Sequence, residues 1–570
     1  MKKNKLNKNN FKFNITNNIS NFKKYIDSFT LPLKTLPKIK NTILYRELIN
    51  FLNVNLIYFY EAKNNPMKIQ NKVLINILKN NKNTLYGKKN NFNKIKSIKE
   101  FQEKVPIVNY ENLLTYINKI KKGEKNILTK DKVIFFATTS GTTKSTEPKL
   151  IPITKKRLIN FRKEILLWLL HVIKKNPSVV KHKTLYFAGP PDEFLLDIGI
   201  PCGSISGYHV KKLPFFLKHK IVVPWKIYNI KDFDEKIKKI ALLSLKNKIS
   251  QIAFASPIEA ILFFNYIKQN KSQLIDELKK QKKIKLANSL SKKEFTPNKL
   301  WPELSLISCI MSNSNKFYID KLKKIIGKEI MIRDPGIYAS EGRISLCIAD
   351  DGISAIPVIH YNFFEFIEIN NDKKFNINKK NKVLTVDQLK INKLYRVLMT
   401  TSEGLYRYDI GDIIKVVGFL NKLPLIVFHD RDNFLNIVGE LAHENVIVEA
   451  VNKTIHHYKI NVKGFTLIPS FTGTKPRYEI LIEIENYKNL KIINEFRKEI
   501  DKNLQEFISD YKQMRNEFGR MQILVLSIVK KGSFDKINKD HLTRSGQPKP
   551  ININKDPNFR NKFEIIKTFE

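Results

Sequence analysis

The chain has 570 residues, of which 42% are hydrophobic, and it carries 102 Lys and Arg against 53 Asp and Glu, a net charge of +49. This length exceeds the size at which a single core keeps growing, so we expect two or more domains. The apolar segments are well spread, which indicates a globular protein and excludes a largely disordered one.

The basic excess would ordinarily suggest a nucleic acid or another anionic partner. Here the basic residues are mostly Lys, scattered among abundant Asn and Ile. These three residues share A/T-rich codons, so drift in base composition explains the charge at least as well as a ligand does. RNP-type aromatic motifs, zinc-finger spacings and heptad-bearing basic regions are all missing from the sequence. We expect no specific nucleic-acid partner, although nonspecific affinity for polyanions in vitro is expected.

The cysteines and the hydrophobic segments indicate where in the cell the protein is expected. Cys202, Cys309 and Cys347 are widely spaced and form no C-x-x-C motif, so neither a disulfide framework nor a zinc site is indicated. Residues 1–14 lack the apolar core of a signal peptide, and the longest apolar runs are too short to cross a bilayer. The expectation is a soluble cytoplasmic protein with no membrane partner.

The first third of the chain is predicted to be mainly helical. A flexible tail over residues 1–20 precedes helices between 42 and 78, which Pro66 divides. Helices and short loops continue from 101 to 120. After a strand at 133–136, Thr154 is a suitable N-cap for a helix reaching Lys174. We expect its buried stripe to consist of Leu158, Phe161, Ile165 and Leu169.

Shorter segments that alternate between predicted strands and turns follow, and from residue 355 the residue pattern mainly favours strands. The predicted strands are 184–188, 221–225, 251–255, 304–309, 356–361, 363–369, 395–400, 413–417, 478–484 and 522–529. Later helices are predicted at 444–455 and 490–507, and a polar tail is predicted at the end. The fold class predicted is α/β: a large domain over residues 21–428 with mixed sheets and packed helices, and a smaller α/β domain over 429–570.

The strand predicted at 133–136 opens into a hydroxyl-rich loop, Ala137-Thr138-Thr139-Ser140-Gly141-Thr142-Thr143, which Lys149 follows. Such a loop can turn several N–H groups and hydroxyls toward one anion, and the lysine adds a mobile positive charge. It is not a Walker loop, because G-x-x-x-x-G-K-[ST] is absent. Taken alone, the segment is better explained as an ordinary Ser/Thr-rich turn.

Four later segments carry further polar groups. Tyr338-Ala339-Ser340-Glu341-Gly342 offers a ring that can stack on a base and a carboxylate suited to Mg²⁺. Leu405 to Asp412 ends in a carboxylate placed to bind ribose hydroxyls. Asp430 to Glu440 includes Arg431, and Lys549 stands in Gly546-Gln547-Pro548-Lys549-Pro550. Each segment alone is also explained by surface turns or solvated charges.

Together and in this order, the segments resemble the adenylate-forming superfamily. They resemble most closely the acyl-acid amido synthetases of the Gretchen Hagen (auxin-responsive promoter) family and their bacterial homologues. Further short segments also match the family: Asn65-Pro66, Thr84-Leu85-Tyr86-Gly87, Val105-Pro106, Tyr110-Glu111, Tyr116-Ile117, Gly123-Glu124, Trp301-Pro302 and Phe434-Leu435-Asn436. The similarity covers roughly residues 60 to 555, and as an ordered set it is highly specific.

The resemblance implies a ligase that activates a carboxylic acid with ATP and Mg²⁺ as acyl-AMP and transfers the acyl group to an amino acid. It implies that Thr139, Ser140, Gly141, Thr142 and Thr143, with Lys149, hold the ATP phosphates. It assigns Tyr338, Ala339 and Ser340 to the adenine end, Glu341 to Mg²⁺, and Asp412 with Arg431 to the ribose. The catalytic residues are then Thr142, Glu341 and Lys549, the last arriving from a small domain that rotates about a hinge at 429–433. By analogy we expect a monomer.

Three departures from the family pattern bear on activity. Lys144-Ser145-Thr146-Glu147 lengthens the loop after Thr143, Ser312-Asn313 replaces an expected glycine pair, and Pro550-Ile551 follows Lys549. Two other functions therefore stay open: an acyl-adenylate or acyl-CoA-type ligase, and a degenerate scaffold that binds polyanions. The acid substrate is not indicated by the sequence.

Overall fold

The structure is a computed structural model. It describes residues 59–139, 149–311, 316–327, 329–348, 352–369, 382–431, 434–435, 437, 440, 442–472, 475–485, 490–517, 521–545 and 551–570. The tail predicted over residues 1–20 lies outside this part. Residues 59–64 are helical and are separated from the next helix at Asn65, so the division at Pro66 is confirmed.

The described α-helices include some that were predicted, at 101–120, after Thr154, at 444–455 and at 490–507, and several between residues 205 and 326 that were not predicted. The α-helices are α1 Pro66–Asn81, α2 Leu85–Lys89, α3 Ile98–Lys104, α4 Tyr110–Lys121, α5 Lys155–Lys175, α6 Ile205–Lys211, α7 Phe215–Lys218, α8 Phe233–Leu245, α9 Pro257–Gln269, α10 Lys271–Lys280, α11 Ile284–Ser291, α12 Pro297–Leu300, α13 Lys316–Ile326, α14 Glu444–Tyr458, α15 Leu490–Phe507, α16 Ser509–Lys512 and α17 Ser533–Ser545. Thr154 caps α5 as predicted, because its hydroxyl accepts a hydrogen bond from the Arg157 amide.

The strands fall into five sheets. They are β1 Val133–Thr139, β2 Lys149–Thr154, β3 Lys183–Tyr186, β4 Phe194–Leu195, β5 Pro201–Gly203, β6 Ile249–Ala253, β7 Leu306–Ser308, β8 Met331–Arg333, β9 Ser345–Cys347, β10 Ala355–Pro357, β11 Phe363–Ile369, β12 Val383–Leu384, β13 Leu394–Thr400, β14 Tyr408–Leu420, β15 Leu423–Arg431, β16 Phe434–Leu435, β17 Ala442–His443, β18 Val462–Ser470, β19 Arg477–Ile484, β20 Val525–Val529 and β21 Ile565–Phe569.

Three sheets build the larger part of the molecule. One has the strand order β2-β1-β5-β4, and one has seven strands in the order β12-β11-β13-β14-β15-β10-β9. The third, β3-β6-β7-β8, is parallel throughout and packs with α8 to α13 around its own apolar core. A second core joins α1, the β1–β2 hairpin and the seven-stranded sheet. The predicted mixed α/β class is confirmed.

A further apolar core lies in the last quarter of the chain. The sheet β18-β19-β20-β21 packs against α14 and α15, which contribute side chains such as Val451 and Phe496. The predicted polar tail is wrong in part, because α17 and β21 belong to this unit. Phe559 and Phe563 bury their rings against the opposite side of the sheet, and β21 pairs with β20.

Two other local predictions were wrong. The strand predicted at 221–225 is a single bridge between Thr184 and Ile221. Pro224 has no N–H to continue the ladder, and a 3-10 helix, Trp225–Asn229, follows it.

The expected stripe of α5 also differs. Leu158 and Phe161 are buried, whereas Ile165 and Leu169 are only half-buried. Arg157, Glu164 and Trp168 occupy the buried face. No helix in the described part of the chain is long and apolar enough to cross a membrane.

Candidate active site

The hydroxyl-rich loop joins the two strands of a hairpin. β1 and β2 pair antiparallel, and the last pair in the register joins Thr139 to Lys149. The buried rings of Phe135 and Phe136 anchor β1 in the core, so the end of the hairpin is held in place. Ser140, Gly141, Thr142 and Thr143 lie in the connection over residues 140–148, outside the described residues.

Lys149 lies beside the start of α4. Its Nζ is 5.4 Å from the centre of the Tyr110 ring and 3.9 Å from Oε1 of Glu111. The Leu150 amide donates a hydrogen bond of 2.9 Å to the Tyr110 hydroxyl, which fixes the ring against the hairpin. The lysine side chain is 24% exposed and therefore keeps access to solvent. It is a cation held near the end of the loop.

The Leu405–Asp412 motif starts β14 and is tied to the segment before α4. The Val108 amide donates to the Arg407 carbonyl at 3.2 Å, and the Asp409 amide donates to the Val108 carbonyl at 2.8 Å. Arg407 has a φ of 49°, a conformation uncommon for a non-glycine residue. Its buried guanidinium contacts Glu365 at 3.1 Å. These contacts place Tyr408 next to Tyr110.

Glu341 is at the tip of a short turn. Tyr338 bridges Arg343, and Ala339 and Gly342 exchange two backbone hydrogen bonds of 3.0 and 3.1 Å. The turn approaches β13 so closely that a Cβ on Gly342 would lie 2.8 Å from the Met399 side chain. The backbone of the turn is therefore held against β13.

The carboxylate of Glu341 acts electrostatically on Tyr408. Burial raises the pKa of Tyr408, and the negative charges of Glu341 and Glu111 raise it further. The Leu150–Tyr110 hydrogen bond joins the hairpin to α4, the backbone pairing of Val108 joins the segment before α4 to the start of β14, and the charge of Glu341 acts on Tyr408 there.

Asp412 lies on β14 in a bulged stretch, where Gly411 has a φ of 81° and donates its N–H to Oδ1 of Asp409 at 3.0 Å. Asp412 is only 4% exposed. In the ladder between β14 and β15 its register partner is Arg431, the last residue of β15. The backbone therefore brings these two predicted ribose-binding residues side by side.

Tyr338 is packed among charged and aromatic side chains. Its hydroxyl shares a hydrogen bond of 2.9 Å with Nε2 of His209, and the ring of His209 stacks on Phe161 with centroids 3.5 Å apart. The guanidinium carbons of Arg343 and Arg157 lie 4.9 and 5.7 Å from the centre of the Tyr338 ring. Burial, followed by the charges of nearby arginines, lowers the pKa of His209 well below its ordinary value, so this imidazole is neutral.

The sequence prediction missed several of these groups. Arg157 and Glu164 are separated by seven residues, a spacing that places both on one face of a helix and was available as a signal. His209 and Arg343 stand in no pattern that marks them. Glu193, whose carboxylate accepts a hydrogen bond of 3.2 Å from the Thr138 hydroxyl beside the loop, was also missed.

Some expected groups lie outside the described residues. They are Lys549, Ser312 and Asn313, as well as the residues inserted after Thr143. The described part contains no cluster of three or more His, Cys, Asp or Glu side chains suited to a metal ion. Glu341 alone fits the usual mode of Mg²⁺, which takes one or two carboxylates together with substrate phosphate oxygens.

Comparison with known proteins places the fold. The structure superposes on a GH3.15 acyl acid amido synthetase with a TM-score of 0.79 at 20% identity, covering 90% of this chain and 96% of that one. It also matches a 2-hydroxyisobutyryl-CoA ligase in complex with an acyl adenylate, with a TM-score of 0.52 at 11% identity, covering 88% and 92%. The mixed sheets and the C-terminal unit of this chain therefore share the fold of these two proteins.

Family models and curated relatives identify the family of this chain. The GH3 family N-terminal, central and C-terminal domains match residues 56–331, 355–431 and 445–557. The indole-3-acetic acid-amido synthetase GH3.4 of Arabidopsis thaliana is 26% identical, with 70% of this chain and 72% of that protein covered. The jasmonoyl–L-amino acid synthetase JAR4 of Nicotiana attenuata is 24% identical over 84% and 89%. The chain belongs to the GH3 family, as its motifs indicated, and these curated relatives are named amido synthetases and amino acid synthetases.

Proposed function

We propose that this protein uses ATP to join a small carboxylic acid to the amine of an amino acid through an acyl adenylate. The main support is that all three GH3 domains match in order. The convergence of Lys149, Glu341 and the Tyr408–Asp412 segment in one region adds a site for the chemistry.

The reaction has two steps. An oxygen of the carboxylate attacks the α-phosphorus of ATP, and pyrophosphate leaves. The amine nitrogen then attacks the acyl carbon, loses a proton and expels AMP with the bridging oxygen. A bare carboxylate resists amines, whereas the mixed anhydride has a good leaving group. The protein therefore has mainly to position the reactants and to stabilise charge on phosphoryl oxygens.

We assign the residues of this chain as follows. Lys149 and the hydroxyl loop, Thr139 to Thr143, hold the phosphates. The Tyr338–Ser340 turn lies at the adenine end, and Asp412 with Arg431 holds the ribose. Lys549 stabilises the charge of the adenylation transition state.

Glu341 would hold Mg²⁺, which neutralises charge on phosphate oxygens when bound. Glu341 suits this role because it is 7% exposed and lies in a turn whose backbone is held by the hydrogen bonds between Ala339 and Gly342.

The chain is further proposed to work as a cytoplasmic monomer with two moving parts. Residues 21–428 form the part that binds ATP and the acid, and residues 429–570 form the part that carries Lys549. Rotation about 429–433 between the two steps would bring Lys549 in for adenylation and withdraw it for amide formation.

The test is ATP–pyrophosphate exchange with a panel of carboxylic acids, repeated for Lys549→Ala and Asp412→Ala. We expect exchange that depends on the acid and falls at least 100-fold in both variants, on the order of the loss caused by removing one transition-state donor. Adding amino acids or coenzyme A to an active mixture then shows whether an amide or a thioester forms. Absence of exchange with every acid, together with tight and salt-sensitive RNA binding, would favour the polyanion-binding alternative.

A further inference from the structure

A cleft with a volume of about 660 Å³ lies between the larger part of the molecule and the C-terminal unit. We call it the α8–α9 cleft, because these two helices form most of its walls; Asp535 and Lys539 of α17 line it from the other side. Nζ of Lys539 lies 3.5 Å from Oδ1 of Asp234 on α8, so an ion pair joins the two sides. In the sequence, the segment with Lys549 follows α17 directly. The cleft is therefore bounded by the helix that leads to the predicted catalytic lysine.

The α8–α9 cleft begins at the carboxyl edge of the parallel sheet β3-β6-β7-β8. Phe187 follows the end of β3, and Glu259 lies in the first turn of α9, which follows β6; both residues line the cleft. The turn with Tyr338 and Glu341 follows β8, the last strand of the same sheet. In open α/β sheets, ligands bind outside the carboxyl ends of the strands. A molecule in the cleft can therefore present one end to the edge from which the Tyr338 turn starts.

Two side chains of opposite charge line the cleft without an ion-pair partner in the described part of the chain. Glu259 is 5% exposed, and its Oε2 accepts a hydrogen bond of 2.8 Å from the Ala255 amide, whereas its Oε1 accepts none from the described residues. The half-buried side chain of Lys236 on α8 contacts neither Glu259 nor any other described carboxylate within ion-pair distance. A buried carboxylate without a cation is unfavourable, because the protein interior does not replace its hydration. The cleft thus holds two opposite charges that do not neutralise each other by contact.

The other charged side chains of the lining are satisfied. All but one form ion pairs: Asp234 with Lys539, Lys238 with Glu277, and Glu235 with Lys239. The exception is Asp535, which lies in the first turn of α17, where the helix dipole favours a negative charge. Burial raises the pKa of Glu259 to about 8 and lowers the pKa of Lys236, and the charge of each opposes the shift of the other. A ligand that brings a cation to Glu259 and an anion to Lys236 would complete both groups.

The rest of the lining indicates what the ligand carries besides its charges. From Glu259 the lining follows α9 as far as Gln269, which is about 15 Å of helix. Apolar side chains lie along the cleft: Phe187, Ile237, Ile240, Leu262 and Phe263. An uncharged, apolar group that extends from the two charges would be buried against them. An acidic group would lose its hydration without gaining a free cation, because Lys238 and Lys539 are already paired.

We propose that the α8–α9 cleft binds the acceptor as an α-amino acid with an uncharged, apolar side chain, its amine on Glu259 and its carboxylate on Lys236. This rests on the proposed function and names the class of acceptor that the enzyme selects. The amine end then lies at the carboxyl edge of the sheet, and the side chain lies along α9. The names of the relatives compared above specify an indole-3-acetic or jasmonoyl group and leave the amino acid general.

Acceptor specificity tests the proposal. Amide formation is measured with ATP and the acid that supports the fastest ATP–pyrophosphate exchange. The acceptors are leucine, phenylalanine, aspartate, lysine and 3-methylbutylamine, which is leucine without its carboxylate. We expect leucine or phenylalanine to exceed aspartate and lysine in kcat/KM by roughly 10-fold or more, because a charged side chain would be desolvated. 3-Methylbutylamine should be poorer than leucine by on the order of 10- to 100-fold, the usual effect of losing a hydrogen bond to a charged group.

Lys236→Met isolates the contact with the carboxylate. It should reduce the ratio of leucine to 3-methylbutylamine in kcat/KM to near one, whereas general damage would lower both values and leave the ratio unchanged. Lys236→Arg, which keeps the charge, should restore part of the ratio. Glu259→Gln should raise the KM of both amines, because both lose the carboxylate that binds the amine.

Lys268→Met, at an exposed position of α9 outside the cleft lining, is the matched control and should retain the wild-type ratio. An unchanged ratio in Lys236→Met, or a preference for aspartate or lysine over leucine, would overturn the proposal.

ATP–pyrophosphate exchange needs no amine, so it separates failure of this proposal from failure of the proposed function. If exchange occurs but wild type and Lys236→Met conjugate leucine equally well, only this proposal fails. If no acid supports exchange, calorimetric titration of leucine and 3-methylbutylamine into both proteins decides. Tighter binding of leucine by wild type alone would support the cleft as an amino acid site, although the ligase assignment had failed. Equal binding by the two proteins, or no binding of leucine, would contradict it.

Discussion

Replacing Arg407 should test how the Leu405–Asp412 motif is held. Its guanidinium contacts Glu365 at 3.1 Å and donates to the Gln102 and Val105 carbonyls at 2.7 Å each. The side chains of Arg407 and Glu365 are 5% and 1% exposed. Arg407→Leu would leave the buried Glu365 carboxylate with the Gln102 side chain, at 3.1 Å, as its remaining hydrogen-bond donor among the described residues.

We expect Arg407→Leu to lower the free energy of unfolding by about 3–5 kcal/mol, the usual cost of stranding one partner of a buried ion pair. Adding Glu365→Gln removes the stranded charge, so the double variant should regain more than about 1 kcal/mol. Urea unfolding monitored by circular dichroism measures both.

Lys181→Met breaks an exposed ion pair with Glu303 and is the control, with an expected change within about 0.5 kcal/mol. A loss below about 1 kcal/mol in Arg407→Leu, or a double variant no better than the single one, would refute the reasoning.

Three other predictions concern packing, pH and the hairpin. Gly404→Ala should destabilise the fold by about 2 kcal/mol or more, since φ is 109° and a Cβ would lie 2.4 Å from that of Leu128; Gly418→Ala, with its nearest atom 3.7 Å away, should change little in the same urea assay. Burial raises the pKa of Glu259 to about 8, so its neutral form is favoured in the fold. Stability should therefore fall as pH rises from about 4.5 to 8, and thermal scans should show that Glu259→Gln removes this part of the fall. Tyr110→Phe should raise the KM for ATP in exchange assays while leaving the melting temperature within a few degrees, because it frees the hairpin end from its hydrogen bond.

The elements that a strong local pattern governs were predicted well from the sequence. The Thr154 cap and the Leu490–Phe507 helix follow from local chemistry and helical periodicity, and the structure contains both. The C-terminal strand β21 was missed because it gains its stability from pairing with β20, a contact that no local pattern reports. The buried face of α5 was missed for a related reason: hydrophobic spacing ranks Ile165 above Glu164, and only an arginine on the same face makes burial of Glu164 favourable.

The candidate site, like the fold, could be predicted from the sequence only in part. The loops were located because their order along the chain resembles a family, and the order of three GH3 domain matches supports that identification. How Tyr110 fixes the hairpin, or how Arg343 turns toward Tyr338, depends on contacts between residues that are distant in sequence. Such contacts leave no signal in composition or spacing, so they could be found only in three dimensions.

The central claim is that the acid is activated as an acyl adenylate before amide formation. The most direct measurement uses an acid substrate labelled with oxygen-18 in both carboxyl oxygens, with mass analysis of the products after turnover with ATP and an amino acid. One labelled oxygen should appear in AMP and the other in the amide carbonyl. Label in inorganic phosphate with formation of ADP, or unlabelled AMP, would contradict the account.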